Sequence, residues 1–374
     1  MKDLLRKLIR ADTTVEKGEL AAADIIRKEL KQAGIVVRID KWNHNRANII
    51  ATVKSAGRKR SLMFACHLDV VPPGQAKWKY SPFAAVEKDG RIYGRGSADM
   101  KAGIAAVVTA IREVVDSGVS LKGDIILFAA AGEETDSCGA KRFINRLNEA
   151  KPQKLIGVIV PEPTNFAVVT SHRGLLWLEI ATKGKAAHGS APQSGINAIS
   201  STRLLLNELA NYSIRCKPHK SLGECSMSIN TIKAGKAINI IPDKCTIGID
   251  IRTLPYQSNE DIINGLQKIV SKLNRRNPEF DAEISVVRNS SALETDSDCD
   301  FVRDFCVSVG KHRTSAVGFA TDGPYFARLN APVVIFGPGN PQSAHKPDEY
   351  VEIADVKKAV SYYKKIILRF LSDL

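Results

Sequence analysis

The sequence predicts an α/β protein of two domains, one inserted into the other. In the first 170 residues, apolar segments of strand character alternate with amphipathic helical segments, which is typical of a mixed, mainly parallel sheet covered by helices. From about residue 173 to 285 the order of elements changes, and residues of metal-binding type resume only near the end of the chain. We therefore predict a large domain from residues 1–172 and 286–374, with residues 173–285 inserted into it.

The elements of the large domain follow from the spacing of apolar residues. Continuous short apolar runs indicate strands that are buried on both faces, and apolar residues three and four positions apart indicate amphipathic helices. Strands are predicted at residues 61–65, 125–131, 156–160 and 333–336, and helices at residues 20–33, 103–115 and 353–371. The last of these helices is expected to close the domain.

The inserted segment has six predicted elements in the order βαββαβ. Strands are predicted at residues 175–183, 226–233, 244–252 and 282–287, and helices at residues 195–209 and 261–273. This order is typical of a two-layer, ferredoxin-like domain.

Composition and charge limit the classes of protein to which the chain can belong. The 374 residues are 44% hydrophobic and 25% charged, which is ordinary for a chain that buries a full core. The net charge of +14 is spread along the chain, and basic residues cluster only at Arg58-Lys59-Arg60 and Arg275-Arg276. We therefore expect a solvated basic surface that attracts anionic substrates, and no nucleic-acid partner.

Apolar runs and cysteine spacing indicate the compartment. No apolar run is long enough to span a membrane, and the start, MKDLLRKLIRAD, lacks the apolar core of a signal peptide. The seven cysteines form no CxxC pair, which favours free thiols in a reducing compartment and no cysteine zinc site. We expect a cytoplasmic protein with no membrane partner.

Imidazole and carboxylate side chains follow three of the predicted strands. The period of two in a strand points His67 and Asp69 to the same side, so that Asp69 can orient the imidazole. Glu133 and Glu134 emerge together after the second strand, and Glu162 follows the third between two prolines that stiffen the backbone. Sites in α/β sheets are commonly built at such strand ends.

Two further candidates lie in glycine-rich segments. Asp99 stands in DGRIYGRGSADMKAG, whose glycines permit tight turns, and His345 lies in the loop GPGNPQSAHKPDEY. Each motif alone also permits a simpler interpretation: a surface hydrogen bond for His67, a helix N-cap for Asp99, and a rigid turn for His345. For Glu133 and Glu134 the simpler interpretation is a solvated, acidic helix start.

Considered jointly, the motifs have the composition of a two-metal hydrolase site. Two divalent ions about 3.5–4 Å apart need terminal His and carboxylate ligands, a bridging carboxylate, and a free carboxylate that accepts a proton from water. Adjacent carboxylates raise one another's pKa unless cations neutralise them. With metal ions present, the two side chains can take different roles, and we expect Glu134 to coordinate and Glu133 to act as general base. The predicted ligands are His67, Asp99, Glu134, Glu162 and His345.

The chain resembles the M20 metallopeptidase and deacylase family over nearly its whole length. The motifs that carry the resemblance are HLDVVPPG, WKYSPF, DGRIYGRGSADMKAG, GEE, PEPT, GKAAHGSAP, GINAI, DIRTLP and GPGNPQSAHKPDEY. The resemblance implies two zinc ions per subunit, with cobalt or manganese as alternative metals. It implies that Asp99 bridges the ions, that His67 and Glu162 complete one site, and that Glu134 and His345 complete the other.

The resemblance also assigns roles to the inserted domain, as a lid and dimerisation domain of a homodimer. His188, in GKAAHG, matches the lid histidine that reaches the active site of the other subunit. Asn239, in AINIIP, and Arg252, in DIRTLP, match contacts to the substrate carboxylate, for which an arginine fork is well suited. From the residues alone, a lone loop histidine such as His188 is more often simply solvated, and Arg252 is equally a surface strand residue.

These observations predict a zinc-dependent amidohydrolase that removes the acyl group from an N-acyl amino acid in amino-acid biosynthesis, of the acetylornithine deacetylase or succinyl-diaminopimelate desuccinylase type. Glu162 favours deacylases and carboxypeptidases, because the family's aminopeptidases tend to have Asp there. Ala320, in GFATDG, departs from the desuccinylase loop, which usually has Thr. The alternatives are a dipeptidase or carboxypeptidase acting on short peptides, and a catalytically silent metal-binding protein, against which the retention of Glu133 and His188 argues.

Overall fold

A computed structural model describes residues 1–43, 45–57, 59–148 and 154–373 of the chain; Arg58, in one predicted basic cluster, lies outside them. The α-helices are α1 (Lys2–Arg10), α2 (Leu20–Lys31), α3 (Ala102–Asp116), α4 (Cys138–Asn148), α5 (Ala198–Ala210), α6 (Asn259–Arg276), α7 (Asp300–Val309), α8 (Gly323–Ala327) and α9 (Ile353–Leu371).

The strands of the described residues are β1 (Val36–Trp42), β2 (Arg46–Val53), β3 (Ser61–His67), β4 (Val86–Lys88), β5 (Arg91–Tyr93), β6 (Ile125–Ala130), β7 (Leu155–Val160), β8 (Val168–His172), β9 (Gly174–Lys183), β10 (Ala187–His188), β11 (Ser226–Ala234), β12 (Ile240–Ile241), β13 (Lys244–Thr253), β14 (Asp281–Ser290), β15 (Leu293–Glu294), β16 (Thr314–Val317), β17 (Val333–Ile335) and β18 (Tyr350–Glu352). Each predicted strand and helix overlaps one of these elements, with ends that differ by a few residues.

Contacts between residues divide the chain into two compact units. The second unit consists of Ser171–Glu294 together with Val317–Ala320, and the first unit consists of the remaining segments. The sequence-based boundary at residue 285 falls inside β14, which continues to residue 290.

The first unit is built on a mixed sheet with a parallel centre, which confirms the predicted fold class. Its strand order is β1-β2-β6-β3-β7-β17-β8, and the four central strands β6, β3, β7 and β17 run parallel to one another. Antiparallel strands flank them on both sides. Every residue of β3 and β6 is buried, as expected for strands covered on both faces.

The helix α9 contacts the middle of β3 and the end of β17. Tyr363 on this helix is fully buried, and its ring meets that of Phe64 on β3 edge to face at 5.4 Å. Its hydroxyl donates to the carbonyl oxygen of Phe336, the residue that follows β17, at 2.9 Å. The helix therefore closes the first unit and fixes the point from which the His345 loop departs.

A small sheet, in the order β18-β5-β4, connects two of the candidate loops. Tyr350 of β18 pairs with Tyr93 of β5. The loop that carries Asp99 follows β5 and the loop that carries His345 precedes β18, so this pairing brings the two loops to one place.

The second unit is a four-stranded antiparallel sheet in the order β11-β13-β9-β14, packed against α5 and α6. Burial alternates along β13, where Ile247, Ile249 and Ile251 point to the core with Leu205 and Leu266. The chain order and strand order match the predicted βαββαβ arrangement. A two-stranded ribbon of β10 and β12 adds to it and was not predicted.

In the described part of the chain, no helix has the length and apolar character needed to cross a membrane. All seven cysteines are free thiols in the structure.

Candidate metal centre

The candidate ligands of the first unit lie at the carboxyl ends of its four central strands. β3 ends at His67, Glu134 lies in the loop after β6, Glu162 lies two residues beyond β7, and His345 lies in the loop between β17 and β18. Because parallel strands end at the same edge of the sheet, four segments distant in sequence meet there.

Two groups of side chains in this place share Asp99. In the first group, His67 Nε2 lies 3.0 Å from Asp99 Oδ1 and 3.5 Å from Glu162 Oε1. In the second, His345 Nε2 lies 3.3 Å from Asp99 Oδ2 and 2.9 Å from Glu134 Oε1. One carboxylate therefore presents a different oxygen to each group, as a bridging ligand would.

The donor atoms of each group fit a divalent ion of borderline hardness. All candidate atoms within a group lie within 4.8 Å of one another, and a third group, of His67 with Glu133 and Glu134, overlaps the first two. Imidazole nitrogen with carboxylate oxygen is a donor set that zinc, cobalt and manganese accept. The described residues hold no further group of this kind, and no cysteine takes part.

Asp99 is placed by a buried ion pair that the sequence did not reveal. It lies in an irregular turn three residues before α3, and α3 has no side-chain cap, so the interpretation of Asp99 as a helix N-cap is wrong. Glu349 Oε1 accepts the backbone N–H groups of Ala98 at 2.9 Å and Asp99 at 3.1 Å. Arg95 holds the other oxygen of Glu349 at 2.6 Å.

Asp69 links the imidazole strand to the carboxylate loop. Its side chain lies 3.5 Å from His67 Nδ1 and accepts the backbone N–H groups of Glu133 at 3.1 Å and Glu134 at 3.0 Å. Burial alone would raise the pKa of Asp69, but the bonds from His67 and from the two N–H groups lower it. The buried carboxylate thus stays ionised and fixes the direction of the loop.

The loop that carries Glu133 and Glu134 is closed at its base. Asn48 Oδ1 accepts the N–H of Ala131 at 3.0 Å, and Asn48 Nδ2 donates to the carbonyl of Gly139 at 2.9 Å. A Cβ atom at position 139 would lie 2.4 Å from both Ala131 N and Asn48 Oδ1, so only glycine permits this approach. Glu133 is 6% exposed, which rules out a solvated acidic helix start.

Glu162 is held by close backbone packing. A Cβ atom at Gly103 would meet the carbonyl oxygen of Pro161 at 2.2 Å, and one at Gly337 would meet the carbonyl oxygen of Glu162 itself at 2.6 Å. The start of α3 and the segment after β17 therefore press against both sides of this short segment.

Burial and neighbouring negative charges raise the pKa values of three acids of the site. Burial, and then the charge of Asp99, raise the pKa of Glu162 to about 8 and also raise the pKa of Glu134. Burial raises the pKa of Glu133 well above its usual value, and the charges of Asp322 and Glu134 add to this effect. Such a cluster favours the binding of cations.

The pKa values of the two histidines are raised as well, because neighbouring carboxylates stabilise the charged imidazoles. Hydrogen bonds to Asp99 and Glu134 raise the pKa of His345 to about 10. Burial would lower the pKa of His67, but the charge of Glu162 and hydrogen bonds to Asp69 and Asp99 raise it well above its usual value. His67 is only 2% exposed, which excludes a surface hydrogen bond as its role.

The remaining candidates lie in the second unit. His188 on β10 is exposed, and its Nδ1 lies 2.7 Å from Ser190 Oγ; the neighbouring Gly189 donates its N–H to the carbonyl of Asn239 at 2.8 Å. Arg252 on β13 holds Asp250 with two bonds of 2.8 and 3.0 Å. His188 and Asn239 are thus brought together on the β10–β12 ribbon.

The sequence analysis missed four residues of the first-unit site. Arg95, Glu349 and Asp322 stand in motifs that were singled out, but spacing does not show whether such a charged side chain is buried at the site or solvated. Asn48 is an isolated amide in an apolar strand, and no pattern marks it.

The model of the peptidase family M20/M25/M40 matches residues 63–369, and the chain therefore belongs to this family. Family membership and the donor set together define a metal-dependent hydrolase of amide bonds. Membership leaves the hypothesis of a catalytically silent metal-binding protein without support.

Similar proteins carry several activities. The chain is 29% identical to the acetylornithine deacetylase of Myxococcus xanthus, over 99% of this chain and 97% of that protein. It is 28% identical to a probable succinyl-diaminopimelate desuccinylase of Staphylococcus aureus strain N315, over 96% of this chain and 95% of that protein. The fold matches the M20 family metallo-carboxypeptidase Sso-CP2 of Sulfolobus solfataricus with a TM-score of 0.82 and 19% identity, over 98% of each chain.

Proposed function

We propose that the protein is a zinc-dependent amidohydrolase that removes the acyl group from an N-acyl amino acid, as in amino-acid biosynthesis in the cytoplasm. The observation that carries the proposal is the pair of ligand groups that share Asp99. The similarity to acetylornithine deacetylase and to succinyl-diaminopimelate desuccinylase along nearly the whole chain supports the substrate class.

In this proposal two metal ions are held per chain. Asp99 would be shared by both ions, His67 and Glu162 would complete one site, and Glu134 and His345 would complete the other, in keeping with the distances between these side chains. When bound, the ions would polarise the amide carbonyl and make water more acidic. Zinc is proposed because of the mixed nitrogen and oxygen donors, with cobalt or manganese as alternatives.

Glu133 is the proposed general base. Its carboxylate is buried next to the ligands and belongs to none of the two groups that share Asp99. A carboxylate of raised proton affinity is suited to take the proton of the attacking water and to return it to the leaving amine nitrogen. Asp69 is a positioning residue in this scheme, because it acts through His67 and through the backbone of the carboxylate loop.

Residues of the second unit are proposed to bind the substrate. His188 would donate to the oxygen that becomes negative in the transition state, and Asn239 and Arg252 would hold the substrate carboxylate. The fork of Arg252 already binds a carboxylate, that of Asp250, in the two-bond geometry that such recognition requires. A substrate would therefore compete with Asp250 for this guanidinium.

We further propose a homodimer formed through the second unit, in which His188 serves the site of the other chain. β11 is an edge strand of its sheet, and exposed apolar side chains stand on it, with Ile232 57% exposed and Ile229 39% exposed. An apolar strand edge with free backbone groups is suited to pairing with the same edge of a second copy.

A dipeptidase or carboxypeptidase is the alternative, and it would use the same metal ligands and the same base. The observation that favours it is the fold similarity to a metallo-carboxypeptidase. Arg252 could bind the terminal carboxylate of a short peptide as well as the carboxylate of an N-acyl amino acid. The conformation of this side chain therefore does not distinguish the two classes of substrate.

A panel of substrates distinguishes the proposed acyl-amino-acid hydrolase from a dipeptidase or carboxypeptidase. The full-length protein, loaded in turn with zinc, cobalt and manganese, is assayed with acetylornithine, succinyl-diaminopimelate and a set of dipeptides. We expect one acyl amino acid to be cleaved with kcat/KM at least about 100-fold above every dipeptide. A Glu133→Gln preparation measures contaminating activity, and preferential cleavage of dipeptides would overturn the proposal in favour of the alternative.

A further inference from the structure

Two thiols face each other at the base of a loop in the second unit. The backbone N–H of Cys225 donates to Cys216 Sγ at 2.9 Å. Both side chains are partly exposed, whereas Cys66 and Cys245 are buried. The two sulfurs are therefore adjacent and accessible to small molecules.

The loop between them is ordered by its own bonds. His219 and Gly223 exchange two backbone hydrogen bonds, of 2.8 and 2.9 Å. Outside the loop, Tyr256 Oη accepts the N–H of Lys217 at 2.5 Å, and Gln257 Nε2 donates to the carbonyl of Arg215 at 2.9 Å. The loop is therefore held at its Cys216 end and is bonded across its middle, so the chain returns Cys225 to the neighbourhood of Cys216.

The surroundings give the two thiols different acidities. Burial would raise the pKa of Cys216, but hydrogen bonds from Cys225 and Tyr256 lower it below its usual value. Burial and the bond to Cys216 raise the pKa of Cys225 to about 11. Cys216 is therefore the thiol that reaches the reactive thiolate form more readily.

We propose that Cys216 and Cys225 form a reversible intramolecular disulfide, which makes this loop a redox-modification site for hydroperoxides. The Cys216 thiolate attacks the peroxide oxygen, the O–O bond breaks, and sulfenic acid and water or an alcohol are formed. The Cys225 thiol then attacks the sulfenic sulfur, and a second water leaves as the S–S bond forms. Two thiols are oxidised and one peroxide is reduced, and a small dithiol or glutathione reverses the reaction by exchange.

The loop is bonded next to both points where the chain passes between the units. Arg173, soon after the second unit begins, donates to the carbonyl of Leu222. His219 Nε2 lies 2.9 Å from Glu294 Oε1, where the main segment of the second unit ends. Oxidation would thus fasten the loop that holds these two residues, and we expect slower trypsin cleavage after Lys220 in the oxidised native protein.

Peptide mapping tests the proposal directly. The reduced full-length protein is treated with a small excess of hydrogen peroxide, free thiols are blocked with N-ethylmaleimide, and the chain is digested with trypsin. Cleavage after Arg215 and Lys220, with Pro218 protecting Lys217, places the two cysteines on separate peptides. We expect a linked pair of peptides that disappears on reduction, and a thiol count two below the seven of the reduced chain.

Single variants test the assigned roles. In Cys225→Ser, Cys216 should form a mixed disulfide with oxidised glutathione at least about tenfold faster than Cys225 does in Cys216→Ser. Cys306→Ser, which changes a partly exposed cysteine elsewhere, should still give the linked peptides. Recovery of Cys216 in wild-type protein only as the blocked thiol, or as sulfinic acid without linked peptides, would overturn the proposal.

Discussion

Two adjacent carboxylates, Glu133 and Glu134, have different surroundings in the structure. Glu134 Oε1 lies 2.9 Å from His345 Nε2, whereas Glu133 stands among other acids, with Asp322 the first of those that raise its pKa. The pattern GEE in the sequence does not distinguish the two residues, and only their surroundings separate the proposed ligand, Glu134, from the proposed base, Glu133.

At this scale we predict that Glu133→Gln retains zinc binding but loses turnover. Its side chain keeps the size of the original, so the ligands stay in place, while removal of the base should lower kcat by about 10³-fold. Zinc affinity and steady-state rates check this. Glu134→Gln is the matched comparison and should weaken zinc binding; near-normal kcat in Glu133→Gln would show that the roles are assigned wrongly.

At the scale of single residues, some features of the site were predictable from the sequence and others were not. The side chains that gather in the candidate metal centre were predictable, because imidazoles and carboxylates after apolar strands are uncommon without a role. The support of Asp99 by Glu349, and of the Glu133 loop by Asp69, was not predictable, because both depend on backbone N–H groups that sequence spacing does not place.

At the scale of elements, the site results from four parallel strands that end at one edge. Apolar periodicity predicted the central strands β3, β6, β7 and β17, since strands buried on both faces are continuous apolar runs. The flanking strands and the β10–β12 ribbon were missed. β1 and β2 are partly exposed and lack a continuous apolar run, and the two strands of the ribbon are brief, so contacts with neighbouring strands rather than local pattern determine them.

Asn48 on β2 gives an element-scale prediction. It closes the base of the carboxylate loop through Ala131 and Gly139, so Asn48→Ala should leave two buried backbone groups with a lost partner. We expect about 2 kcal/mol of lost stability and, because the loop loosens, about tenfold weaker zinc binding.

The control for this variant is Asn259→Ala in the second unit. Asn259 is also buried and bonded through both side-chain atoms, so its loss should lower stability as well. Thermal unfolding and zinc titration separate the effects. Equal zinc affinity in Asn48→Ala and wild-type protein would mean that Asn48 supports only the fold.

At the scale of the whole molecule, the sequence predicted an insertion because residues of metal-binding type are interrupted by a βαββαβ segment. The structure has two compact units, but places residues 317–320 with the second unit. No local pattern distinguishes this short segment, because its assignment depends on contacts distant in sequence.

Mixing two inactive variants tests the proposed action of His188 between chains. His188→Ala and Glu133→Gln homodimers should each be nearly inactive. After subunit exchange, half of the sites in each heterodimer would combine an intact Glu133 with an intact His188 from the other chain, so activity should reappear. Absence of activity, with heterodimers shown by mass spectrometry, would mean that His188 serves its own chain or has no role in turnover.

The measurement that tests the central claim most directly is a zinc titration of metal-free, full-length protein by calorimetry and elemental analysis. We predict saturation at two ions per chain, and at one ion per chain in His345→Asn, since that variant lacks one ligand of the second group only. Saturation of the wild-type protein at a single ion would contradict the two-metal site built around Asp99.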